Sequence, residues 1–80
     1  MEKSRQNPQY ECLQTLLRAL RQEAQLTQVQ LADKLQQPQS FVSKYEAGER
    51  RLDVMELRQV CLALGIFLGD FVKRFEKEIA

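Results

Sequence analysis

The sequence predicts an all-α fold, a compact bundle of five helices, and three observations carry that expectation. Apolar residues recur at helical spacing in the first segment, through Tyr10, Leu13, Leu17, Leu20 and Ala24. Two capping boxes, Thr27 with Gln30 and Asp53 with Glu56, mark helix starts in the middle of the chain. No stretch carries a strand signal. The expected helices span approximately residues 8–24, 27–35, 38–47, 53–64 and 68–78.

Each element has a local cause. Asn7 is placed to cap the first helix, with Pro8 at its first position, where the missing N–H costs nothing. Leu16 widens its apolar stripe, and the helix carries Arg18 and Arg21. Residues 1–7 are expected to form a flexible arm bearing Lys3 and Arg5. In the second helix, Leu26 and Leu31 flank the Thr27 cap as a hydrophobic staple, and Leu31, Ala32 and Leu35 face inward. Gln36, Gln37 and Pro38 break the run, because proline is tolerated in a first helical turn but not in an interior. The third helix continues through Val42 and Tyr45 to Ala47, and Gly48 suits a left-handed closure. Leu52 and Leu57 staple the fourth helix, whose inward stripe is Leu57, Val60, Cys61 and Leu64 and whose end is Gly65. The last helix places Leu68, Phe71, Val72, Phe75 and Ile79 on one side. Phe67 occupies its capping position and cannot cap. Phe67, Phe71 and Phe75 recur every four residues, and two readings stand: all are core, or some form a two-fold dimer contact.

Composition excludes several function classes. Eighty residues make one domain, here 8–80 after the arm, and such a chain buries roughly 60% of its unfolded surface. No apolar run approaches the ~18 residues of a membrane span, and the start lacks the apolar core of a signal peptide. A cytoplasmic protein without membrane contact is therefore expected. Cys12 and Cys61 are far apart and form no CxxC pattern, so both read as small apolar residues rather than as disulfide or metal ligands. There is no histidine, which removes the commonest general base and zinc ligand. No enzyme activity, cofactor, metal or small-molecule substrate is expected.

Net charge is only +1, so bulk charge does not point to nucleic acid. Local charge does more: Lys44, Arg50 and Arg51 cluster, diluted by Glu46 and Glu49, while Asp70, Glu76 and Glu78 lie near the C-terminus. The cluster adjoins residues 27–48, which read as two short helices with a tight connection. That arrangement is the helix-turn-helix, whose second helix enters the DNA major groove. Double-stranded DNA is the expected partner. Arg50 and Arg51 are placed to reach phosphates, the plainer reading being two solvated side chains; the 1–7 arm is either disordered or touches DNA.

Residues 26–69 resemble the phage-repressor and Cro-like helix-turn-helix family, also called the XRE family. The resemblance rests on L-T-Q-x-x-L-A-x-K-L at 26–35, Q-S-F-V-S-K-Y-E-x-G-E-R-R at 39–51 and L-x-x-V-C-x-A-L-G-I at 57–66. It implies a lambda-repressor-like bundle in which Gln28 contacts a phosphate and Gln39 and Ser40 read bases. Ser43 and Lys44 share the face of Gln39 and Ser40. Glutamine can pair with adenine, serine with any base, and lysine with guanine or a phosphate. The resemblance also implies a structural ion pair between Arg21 and Glu46. Three positions depart from it: Gln36 stands where glycine is usual, Gln37 where an apolar residue is usual, and Pro38 where a capping hydroxyl is usual. A left-handed Gln36 carries about 1–2 kcal/mol of strain.

The expected function is a sequence-specific transcription regulator, a repressor, acting as a homodimer on a palindromic operator with half-sites about 10–10.5 bp apart. The alternative is a protein-interaction module, such as an antitoxin or adaptor that holds a partner protein. Near-zero net charge and the aromatic last helix favour the alternative; the small polar face of Gln39, Ser40 and Ser43 disfavours it.

Overall fold

The computed structural model describes residues 7–80; the arm expected over 1–7 lies, apart from Asn7, outside the described residues. Among the described residues the chain forms α1 (Pro8–Glu23), α2 (Gln28–Leu35), α3 (Gln39–Glu46), α4 (Val54–Ala63) and α5 (Leu68–Ile79), with no strand. These are the five expected helices. Several observed ends lie one residue inside the expected ones because Thr27, Pro38 and Asp53 are caps with extended backbone.

The helix starts follow from local chemistry. The Asn7 side chain accepts from the backbone N–H groups of Gln9 at 2.8 Å and Tyr10 at 3.2 Å. Both capping boxes are closed in both directions, so α2 and α4 begin with two otherwise orphaned donors satisfied. α3 and α5 start at Pro38 and Phe67 without a side-chain cap.

The first four helices end in one shared way. A left-handed residue follows each, namely Gln25 (φ 60°), Gln36 (φ 56°), Gly48 (φ 80°) and Gly65 (φ 84°). The next amide then reaches back five residues, Leu26 to Arg21, Gln37 to Ala32, Glu49 to Lys44 and Ile66 to Cys61. This closure satisfies carbonyls that a helix end leaves open. Gln36 therefore keeps the turn geometry that glycine usually supplies, and Gln25 does the same without any sequence signal. At Gly48 a second constraint applies, since a Cβ there would lie 2.5 Å from Gln14 Nε2.

The helices meet at one core, built from Leu16, Leu17 and Leu20 of α1, Leu31 and Ala32 of α2, Val42 and Tyr45 of α3, Val60 and Cys61 of α4, and Phe71 of α5. Cys61 is fully buried, and burial pushes its thiol up to about 11, so it stays protonated. Cys12 is half-buried, and both cysteines are free. The Tyr45 hydroxyl is buried without a hydrogen-bond partner among the described residues. No helix among the described residues is long and apolar enough to cross a membrane.

The three phenylalanines take three different environments. Phe71 is 1% exposed and fills the core, which corrects its candidacy as a dimer contact. Phe75 packs half-buried against the core, and Phe67 is 73% exposed. The reason is geometric: Phe71 and Phe75 share the inward face of α5, whereas Phe67 precedes the helix on extended backbone.

Candidate nucleic-acid interface

α2 and α3 are joined by the left-handed turn at Gln36 and the extended Pro38, which sets the direction of α3. Val42, Tyr45 and Glu46 bury one face of α3, and this leaves Gln39, Ser40 and Lys44 exposed on the other. Ser43 is half-buried beside them, its hydroxyl donating to the Ser40 carbonyl at 3.3 Å. The four residues proposed from sequence as base readers thus occupy neighbouring positions on one edge of a short helix anchored from behind.

The anchor is Glu46. Its carboxylate accepts from Arg21 Nε at 2.7 Å, Arg21 Nη2 at 3.0 Å and Gln28 Nε2 at 3.0 Å. Arg18 Nε lies 3.5 Å away on the half-exposed side. Burial alone would push the Glu46 carboxyl up. The hydrogen bonds from Arg21 and Gln28, with the charges of Arg21 and Arg18, outweigh it and hold the group below its ordinary value. Arg21 Nη1 also donates to the Leu26 carbonyl at 2.9 Å, so one guanidinium ties α1, the α1–α2 connection and the end of α3 together.

Gln28 links this buried pair to the exposed edge. Its amide nitrogen donates to Glu46 while its Oε1 accepts from Gln39 Nε2 at 3.3 Å. The residue expected at a phosphate is therefore held by the scaffold at one end and holds Gln39, the first of the expected base readers, at the other. A hydrogen-bonded line runs Arg21, Glu46, Gln28, Gln39 from the interior to the surface.

The loop after α3 treats its two arginines differently. Arg50 pairs with both carboxylate oxygens of Glu56, at 3.1 and 2.9 Å, and its guanidinium lies 4.7 Å over the Phe41 ring. Glu56 also closes the α4 capping box by accepting from the Asp53 N–H at 3.0 Å. Hydrogen bonding to Arg50 holds the Glu56 carboxyl below its ordinary value. Arg51 instead lies 4.5 Å over the Tyr10 ring, and the Tyr10 hydroxyl donates to the Arg50 carbonyl at 3.0 Å. Sequence reasoning grouped the two arginines and missed both rings. Tyr10 reads as an ordinary residue of the α1 stripe, and nothing in the spacing of Tyr10 or Phe41 signals an arginine stacked on it.

An exposed polar edge on a second short helix, braced by a first helix across a three-residue turn, defines a helix-turn-helix protein. The helix-turn-helix family HTH_3 matches residues 17–71. Among solved structures, an XRE-family like protein from Pseudomonas syringae pv. tomato str. DC3000 is similar at 40% identity and a TM-score of 0.87, covering 98% of this chain and 95% of that one. The restriction-modification controller protein C.Esp1396I, solved as a point mutant, is 25% identical with a TM-score of 0.83, covering 91% and 92% of the two chains. The clp gene regulator ClgR from C. glutamicum is 26% identical with a TM-score of 0.77, covering 90% and 92%. No curated protein is a significant match. The chain belongs to the XRE family of helix-turn-helix DNA-binding proteins.

Proposed function

We propose that this protein is a sequence-specific transcription repressor that reads the DNA major groove with α3 as a homodimer on a palindromic operator. The observation that carries the reading is the line from the buried Glu46 through Gln28 to Gln39, which holds a base-reading side chain in place before DNA arrives. Side chains fixed in advance lose less freedom on binding. Gln39, Ser40, Ser43 and Lys44 read base edges, and Gln28 and Arg51 meet phosphates. Arg50 contributes positive potential while its guanidinium braces the loop against Glu56. The relatives named as a restriction-modification controller and a clp gene regulator support a regulatory role.

Two copies follow from scale: eight residues of α3 span few base pairs, so useful affinity takes a second half-site. Phe67 at 73%, Leu62 at 44% and Val72 at 41% exposure supply apolar surface at the α4–α5 end for the two-fold contact. Exposed apolar residues also favour the second reading, a partner-binding module; Val54 and Met55, 63% and 64% exposed, are candidates for that contact.

Selection from a random duplex library, followed by sedimentation equilibrium on the protein alone and with the winning duplex, tests the proposal. A palindromic consensus bound by two chains is expected. Enrichment of no sequence by a folded protein contradicts the DNA reading and leaves the partner-binding one.

A further inference from the structure

We infer that Glu56 sets the DNA affinity of this protein from outside α3: its carboxylate stands in for a DNA phosphate at Arg50, and binding exchanges the one for the other. The inference rests on the DNA-binding function proposed above.

The contact has the geometry of phosphate recognition. Arg50 Nη1 and Nη2 donate to the two carboxylate oxygens of Glu56 at 3.1 and 2.9 Å. This is the parallel fork with which arginine also takes a phosphate. Nη1 donates as well to the Arg51 carbonyl at 3.2 Å, so its donors are engaged while the pair is closed. A phosphate that takes the same fork displaces Glu56.

The pair is placed for that exchange. Its two side chains are 38% and 28% exposed, so water reaches both and neither charge is stranded when they part. Glu46 has no such freedom, because it holds Arg21 in the dry interior. Phe41 lies 4.7 Å under the Arg50 guanidinium, and a ring face leaves the in-plane donors to whichever anion takes them. Glu56 also has a second bond to keep. It accepts from the Asp53 N–H at 3.0 Å, and the Asp53 side chain accepts from the Glu56 N–H at 2.7 Å, so the start of α4 stays closed after Arg50 leaves. Arg50 lines one cleft with Phe41, Ser40 and Lys44, which puts the guanidinium beside two of the expected base readers.

The test is duplex affinity against salt, measured beside thermal melting, for the full chain and for Glu56→Gln, Arg50→Gln, the Glu56→Gln/Arg50→Gln pair and Glu49→Gln. Glutamine can still close the capping box, so Glu56→Gln is expected to fold. It is expected to tighten binding about two- to fivefold, more than Glu49→Gln, which removes an equal charge from the same loop. With Arg50→Gln added, the gain is expected to fall to that of Glu49→Gln. In the Glu56→Gln background, Arg50→Gln is expected to lower the slope of log affinity against log salt by about one. In the unchanged chain, the carboxyl carbon signal of Glu56 is expected to move on adding the duplex. An equal gain with and without Arg50 overturns the inference, as does weaker binding by a folded Glu56→Gln chain. A Glu56 signal that the duplex leaves in place overturns it too, and that measurement holds even if Glu56→Gln does not fold. If the parent chain binds no duplex, the DNA-binding function fails and the inference falls with it; if the parent binds and only the Glu56 outcomes fail, that function stands without the exchange.

Discussion

The exposed polar edge of α3 and the loop that follows it are held by the same chemical parts, arginine against carboxylate, yet in opposite ways. Behind the edge, the Glu46 side chain is fully buried and Arg21 is 12% exposed, so the pair works in a dry setting with every oxygen engaged. In the loop, Arg50 and Glu56 are 38% and 28% exposed, and the guanidinium leans on an aromatic ring. Burial decides what each pair does. The interior one is costly to break because a stranded charge stays behind, while water takes over whatever is lost in the loop. The molecule thus braces the α3 edge from a buried pair and the following loop through partly exposed contacts.

Removing Arg21 gives the largest expected effect. Arg21→Met strands Glu46 in the core and is expected to cost about 3–5 kcal/mol in a denaturant titration, whereas Glu56→Gln in the loop costs far less. Equal losses at the two sites break the comparison. The same burial gives a pH signature. Glu46 titrates below its ordinary 4.5 in the fold, so its contribution is complete above about pH 4.5 and is lost as pH falls through the folded value. Replacing Glu46 with Gln is expected to flatten the decline of stability in that acidic range.

Binding sharpens the contrast next. Gln39→Ala is expected to relax preference at one base position by about 1–3 kcal/mol, while Arg51→Glu weakens binding to all sequences alike. Parallel affinity measurements on a selected duplex and its single-base variants separate the two. A smaller effect comes from the turn itself. Gln36→Gly relieves a left-handed side chain and is expected to stabilise the fold by about 1 kcal/mol. A lower melting temperature in that variant contradicts this assignment. The smallest effect belongs to Tyr45, whose hydroxyl is buried without a partner among the described residues. Tyr45→Phe is expected to leave stability unchanged or raise it by about 1 kcal/mol.

Much of the fold was legible because its signals are local. Thr27 with Gln30 and Asp53 with Glu56 announce helix starts, and Gly48 and Gly65 announce ends, each within a few residues of chain. Gln25 was not legible. A glutamine carries no left-handed signal, and its conformation follows from Leu26 returning its amide to Arg21 while Arg21 itself is fixed by Glu46. Spacing alone could not sort Phe67, Phe71 and Phe75, because the four-residue repeat runs across the start of α5, and only the helical residues follow the helix face. At the site, the edge residues and the Arg21–Glu46 pairing came from the resemblance rather than from periodicity. Stacking of Arg51 on Tyr10 and Arg50 on Phe41, and the bond from Gln28 to Gln39, depend on how separate helices dock. No pattern within one helix encodes them.

The most direct test of the central claim is a map of backbone amide shifts in the full chain on adding a short duplex, at low and then at raised salt. Residues 28, 39, 40, 43 and 44 and the 48–51 loop are expected to shift together and to recover as salt rises, with α5 unmoved beyond any dimer contact at Phe67. Shifts confined to α4 and α5, with the α3 edge silent, contradict the assignment of α3 as the reading helix.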